Sequence, residues 1–128
     1  MNQYRKERCI EIAKKLSDLR TGRSLHFSFI LDKNKLLITA ANSYKKSHPQ
    51  KQFGIYVPAR PTTNYQAGLH SEISAIKTFL SRFRNTDFSG LTLFNVRIGK
   101  DGLVQMAAPC KNCQKVLDSF NFKAILHT

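Results

Sequence analysis

The sequence is short of acid. Only 8 of its 128 residues are Asp or Glu, against 21 Lys or Arg, which leaves a formal net charge of +13. No acidic residue occurs between Asp32 and Glu72. A solvated surface ordinarily mixes signs, so so one-sided an excess implies a polyanionic partner or an anionic substrate. Long apolar runs are missing too. The longest, Leu36 to Ala41 with Thr39 inside it, is too short to span a bilayer, so no membrane partner is expected. The N-terminus, Met1-Asn2-Gln3-Tyr4-Arg5-Lys6, lacks the apolar core and small-residue cleavage site of a secretory signal. Cysteines number three, an odd count with nothing to suggest an oxidising compartment. A disulfide framework is therefore not expected, and a close Cys pair points to metal binding or catalysis. Internal repeats and low-complexity tracts are absent. What remains is a cytoplasmic chain of one compact domain over 1–128, 41% hydrophobic and 23% charged. At that length a single core can bury most of its apolar surface.

Hydrophobic spacing predicts the elements. Cys9, Ile12, Ala13, Leu16 and Leu19 recur at helical intervals, giving an amphipathic helix over 4–20 that glycine can end near Thr21-Gly22. Leu25 to Leu31 and Leu36 to Ala41 read as strands around the turn Asp32-Lys33-Asn34. A long polar connection follows from Asn42 to Leu69, with Pro49, Pro58 and Pro61, and loops of that length are usually functional. A second helix starts near His70, with Ile73, Ile76, Phe79, Leu80 and Phe83 as its apolar stripe, and ends by Asn85. Leu91 to Ile98 is a third strand, turned by Lys100-Asp101-Gly102, and Leu103 to Ala108 continues the ribbon. Cys110 to Ser119 is a short third helix and Phe122 to Leu126 a last strand. The order implies an α/β fold, a mixed sheet of four or five strands sandwiched by about three helices.

Two short motifs carry chemistry, His70-Ser71-Glu72 and Pro109-Cys110-Lys111-Asn112-Cys113, each opening a predicted helix. Cys110 and Cys113 lie three apart, so on a helix they share a face and can grip one tetrahedral ion. A helix N-terminus favours the thiolate that zinc requires. His70 supplies a third, neutral ligand, and three protein ligands leave one position for water, as in catalytic zinc sites. Glu72, two residues beyond His70, leaves the same turn at another angle and can face that water without being a ligand. A carboxylate there can act as general base and then acid. Taken singly the motifs are weak: P-C-x-x-C also occurs in structural zinc knuckles, and H-x-E alone carries little. Cys9, on the apolar face of the first helix, reads as a core thiol, and His26, between apolar strand neighbours, as structural.

Together and in this order, H-x-E and P-C-x-x-C resemble the cytidine deaminase superfamily, whose zinc nucleobase deaminases share that signature. The element order resembles the family core over nearly the whole chain. The resemblance implies Zn2+ as cofactor, with His70, Cys110 and Cys113 as ligands and Glu72 as proton shuttle. In that family hydroxide attacks the carbon bearing the exocyclic amine, and the glutamate moves protons until ammonia leaves. An Asn at the end of the second strand contacts the substrate there, and Asn42 follows Leu36–Ala41 in that position. The stretch Asn42-Ser43-Tyr44-Lys45-Lys46-Ser47-His48-Pro49 looks like small phage-type members, which makes Tyr44, Lys45, Lys46 and His48 further candidate substrate contacts. If the chain is phage-encoded, the cytoplasm is the host's. It departs from the pattern in two places. It stops at Thr128, before the extra helix and strand of longer relatives, which exposes a sheet edge that a second copy could cover. Ser71 stands where alanine is more usual.

The substrate is less sharply implied. Lys45, Lys46, Lys51 and Arg60 interleave with Tyr44, Phe53, Tyr56 and Tyr65 in the acid-free connection, a pattern suited to phosphates and unpaired bases. A +13 surplus exceeds what one phosphate needs. The expectation is therefore deamination of cytosine to uracil in single-stranded DNA or RNA. The alternatives are a deaminase of a free nucleotide of the dCMP or CMP type, and a non-catalytic zinc-stabilised nucleic-acid-binding module. Glu72 speaks against the last, because a structural site has no use for a carboxylate beside its metal.

Overall fold

The computed structural model describes residues 1–18, 25–42, 70–84 and 87–128. Its elements are α1 (Gln3–Ser17), β1 (Leu25–Asp32), β2 (Lys35–Ala41), α2 (Ser71–Phe83), β3 (Leu91–Ile98), β4 (Val104–Gln105), α3 (Lys111–Ser119) and β5 (Ala124–His127). The expected α/β sandwich is what these elements build. The strand β3 is the hub of the five-stranded sheet. One edge runs antiparallel to β1 over its whole length, from Leu25 opposite Ile98 to Asp32 opposite Leu91. The other edge is shared: β4 pairs antiparallel with Arg97 and Ile98, and β5 pairs parallel with Thr92 to Asn95. The sheet is therefore mixed, and β2 closes it beyond β1.

Period-two alternation sends each strand to both faces, and both faces are covered. Leu25, Phe27, Phe29 and Leu31 of β1 join Phe94, Val96 and Ile98 of β3 against Cys9 and Ala13 of α1. Ile30, Ile38, Ala40 and Leu93 face the other way, against Ile73, Ile76 and Phe79 of α2 and Val116 and Leu117 of α3. Cys9 is fully buried, as a core thiol should be. An aromatic cluster fastens the C-terminal ends of α2 and α3. Phe88 stands 5.0 Å from Phe79, 5.1 Å from Phe120 and 5.1 Å from Phe122 between ring centroids, spacings that suit tilted and edge-on pairs.

Element ends differ from expectation for local reasons. Asn2 caps α1 by accepting from the Arg5 N–H at 2.8 Å, so the helix starts at Gln3. It runs to Ser17, and the glycine expected to end it lies outside the described residues. The ribbon after β3 shrinks to Val104–Gln105, because the chain turns at Gly102, whose φ of +81° suits glycine, and then leaves the sheet. β5 starts at Ala124 rather than Phe122, because Phe122 packs into the aromatic cluster instead of pairing with a strand. In β2 a bulge falls between the pairs Ile30–Ile38 and Leu31–Leu36, leaving Leu37 as the extra residue. Leu36 thereby packs on the α1 side and Ile38 on the α2 side, although they are two apart.

Candidate metal centre and active site

The two helices on one face of the sheet bring their N-termini together. His70 is the N-cap of α2 and Cys110 the N-cap of α3, both with extended backbone. Each carbonyl accepts the first helical hydrogen bond, from Ser74 N at 3.1 Å and from Gln114 N at 2.8 Å. Both helices thus begin one residue later than predicted; the His70 side chain makes no cap hydrogen bond, and the Cys110 sulfur accepts from the Cys113 N–H. His70 Nδ1 lies 3.1 Å from Cys113 Sγ and 3.4 Å from Cys110 Sγ. The ligand atoms of His70, Cys110 and Cys113 all fall within 4.8 Å of one another.

Zinc fits this donor set. Bonds of about 2.0–2.3 Å in a tetrahedron place neighbouring N and S atoms roughly 3.5 Å apart, close to the observed separations. The ring nitrogen facing both sulfurs is Nδ1, so it is the atom that would coordinate the ion. The Cys113 N–H points at Cys110 Sγ, 3.4 Å away, and supports a thiolate there. Without a cation, the Cys113 thiol is held far above the ordinary range. Its hydrogen bond with Cys110 is the main cause, followed by burial and the negative charge of Glu72. A pocket that combines two sulfurs and a carboxylate out of water needs a cation to hold them as anions.

Glu72, on the first turn of α2, is 4% exposed. Burial pushes its carboxyl above the usual range, and its own backbone N–H, His70 and the Ser71 hydroxyl oppose that rise. A carboxyl moved toward neutrality is suited to exchanging protons at physiological pH. The Ser71 hydroxyl donates to Glu72 Oε1 at 3.1 Å.

Asn42 stands where it was expected, just past β2. Its Oδ1 accepts from the His26 N–H at 3.0 Å, and its own N–H donates to the His26 carbonyl at 3.0 Å. The amide is thereby pinned at the end of the sheet where β1 begins and β2 and β3 finish. Tyr44, Lys45, Lys46 and His48 lie outside the described residues.

His26, read from the sequence as structural, lies in β1. Its cross-strand partner is Arg97, and burial, then the charges of Arg97 and His70, push its pKa down to about 4, with Cys110 opposing. It therefore belongs to the electrostatic surroundings of the metal ligands. Ser28 and Asn95, cross-strand partners two residues further along, were also missed by sequence reading. The available signal was polar residues at alternate positions, His26 and Ser28 in one strand and Asn95 and Arg97 in the other. In strands buried on both faces, polar side chains must find hydrogen-bond partners, so such a set marks a place where side chains of different elements meet.

A family model for the cytidine and deoxycytidylate deaminase zinc-binding region matches residues 3–127. Among solved structures, the dCMP deaminase of cyanophage S-TIM5 is similar in fold. Its apo form aligns with a TM-score of 0.58 at 16% identity, covering 100% of this chain and 87% of the phage protein. The same enzyme in complex with dCMP and dUMP gives a TM-score of 0.60 at 17% identity, covering 100% and 85%. No curated protein matches the chain. With the family match running through almost every described element and the His/Cys/Cys cluster in place, the chain belongs to the cytidine and deoxycytidylate deaminases, zinc-dependent hydrolytic enzymes.

Proposed function

We propose that this protein hydrolyses the exocyclic amine of a free cytosine nucleotide, of the dCMP or CMP type, to give the uracil nucleotide and ammonia. The observation that carries the reading is the meeting of His70, Cys110 and Cys113 beside a buried Glu72 at two helix N-termini. The choice of a nucleotide over a polymer is supported by the similar phage enzyme, which is named for dCMP and was solved with dCMP and dUMP. The single-stranded DNA or RNA expected from the sequence becomes the second reading, and the +13 charge is what favours it. Three free cysteines accord with a reducing compartment such as the cytoplasm.

His70, Cys110 and Cys113 hold the zinc. When bound, the ion makes a water acidic enough to lose a proton near neutral pH. Glu72 would accept that proton and deliver it to the ring nitrogen as the water oxygen bonds to the neighbouring carbon. It would then take the proton of the newly added hydroxyl and pass it to the amine, which leaves as ammonia when the C–N bond breaks and the C=O bond forms. Asn42, pinned by His26, offers its amide to the sugar or base.

The test is to incubate zinc-loaded protein with dCMP, CMP, cytidine, adenosine, and random single-stranded DNA and RNA, and to read products by mass spectrometry. Product from dCMP or CMP supports the proposal. Product in the polymers alone overturns the substrate, and product nowhere overturns the activity. Glu72→Gln, the control, keeps zinc and fold and lowers turnover by about 100-fold or more, the range of general acid–base catalysis. Unreduced turnover in that variant would remove Glu72 from the mechanism.

A further inference from the structure

Three buried polar side chains lead from Glu72 into the sheet. Ser28 of β1, Ser71 of α2 and Asn95 of β3 are 0%, 1% and 3% exposed. Ser71 Oγ lies 3.1 Å from Glu72 Oε1, Ser28 Oγ lies 2.8 Å from Ser71 Oγ, and Ser28 Oγ lies 2.6 Å from Asn95 Oδ1. The row begins at the carboxyl and ends on the central strands. Their neighbours on the same face of the sheet, Ile30 and Leu93, show what the sheet uses where only packing is needed. Polar groups at such depth cost stability unless bonded, so a connected row of them calls for a purpose.

From this geometry we infer that Ser71, braced by Ser28 and Asn95, is a positioning residue that fixes the rotamer of the Glu72 carboxyl. The inference rests on the deaminase reading above. Besides its own backbone N–H, the carboxyl meets two side-chain groups, the Ser71 hydroxyl and the Cys113 sulfur. A Cys113 that serves as a thiolate ligand has no proton to donate, which leaves the Ser71 hydroxyl as the side-chain donor to Glu72 among the described residues. Ser71 in turn is fixed from behind. Ser28 and Asn95 are paired across β1 and β3, so the brace is anchored in the interior strands of the sheet. Each hydroxyl has one proton, so for Ser71 to donate to Glu72, Ser28 donates to Ser71 and the Asn95 amide turns its Nδ2 toward Ser28, which Asn95 can do because it carries a donor as well as an acceptor.

The experiment compares wild type, Ser71→Ala, Ser28→Ala and the double variant, all zinc-loaded, on whichever substrate the wild type turns over. Ser71→Ala removes one oxygen from a helical position that accepts alanine readily. Its kcat is expected to fall about 10-fold, the scale of one hydrogen bond to a charged group, with KM, zinc content and Tm close to wild type. Ser28→Ala is expected to lose about 3-fold in kcat, and the double variant to be no worse than Ser71→Ala, because Ser28 acts only through Ser71. A crystal structure of zinc-loaded Ser71→Ala should show the Glu72 carboxyl turned from its wild-type rotamer. Wild-type kcat in Ser71→Ala, a loss traced to missing zinc or to KM, multiplicative losses in the double variant, or an unmoved carboxyl would each overturn the inference. If Ser71→Ala does not fold, Ser28→Ala decides by the same measures. A wild type inactive on every substrate refutes the deaminase reading, and the carboxyl rotamer still decides the positioning role.

Discussion

His26 shows how much a single side chain near the centre contributes beyond packing. Its ordinary pKa of about 6.5 is lowered to about 4 in the folded protein, because burial and the nearby Arg97 and His70 disfavour a second positive charge. On acidification the unfolded chain takes up this proton first. The stability His26 contributes is therefore complete above pH 6.5 and drains away as pH falls toward 4. Glu72 has the opposite sign: its raised carboxyl gives stability at low pH that is lost as pH rises through its folded value. His26→Gln should therefore flatten the fall in Tm between pH 6.5 and 4 relative to wild type, measured by calorimetry on zinc-loaded protein. Release of zinc in acid affects both proteins, so the difference between the curves isolates His26. Parallel curves would mean that His26 is not held neutral by the fold.

Among the elements, β2 holds the least expected feature. Leu36 and Ile38 are two apart and would share a face in a regular strand, yet they pack on opposite sides because Leu37 bulges out between them. Deleting Leu37 would restore a regular ladder without moving either neighbour or the register of Ala40 and Ala41. That deletion should keep the fold and cost about 1–2 kcal/mol, the packing of a half-buried leucine, as read by denaturant unfolding. Deleting Thr39 instead shifts Ala40, Ala41 and Asn42 by one position and should abolish activity; a Leu37 deletion as damaging as that would show the bulge to be essential. The same contrast explains what could be read from the sequence. The two motifs and most elements were legible because spacing within one helix or strand is local. Ser28, Asn95 and His26 were not, because their place beside α2 depends on long-range contacts, Ser28 meeting Ser71 43 positions away and Asn95 67 positions away, and the bulge left no mark that alternation could reveal.

For the whole molecule, the question is what the surplus of positive charge does. A single nucleotide meets few cations, so raising salt from about 50 to 200 mM should weaken dCMP, in KM, by only a few-fold. A polymer gripped through six or more phosphates would lose on the order of 1,000-fold over that range. Shallow dependence on dCMP together with steep, unproductive binding to DNA would make the charge a separate property from catalysis; a steep dependence on dCMP itself would place several of the lysines at the pocket. The arrangement of α2 and α3 has a mechanical consequence of its own. Each helix is clamped at two points, by the ligand cluster at its N-terminal end and by the Phe79, Phe88, Phe120 and Phe122 rings at its C-terminal end. Withdrawing the ion undoes one clamp and leaves the other, so the free energy of local opening becomes graded along both helices, lowest in the first turns and highest beside the rings. Demetallation then frays the catalytic end of a protein whose opposite end stays shut, and a returning ion has only two helix turns to re-order.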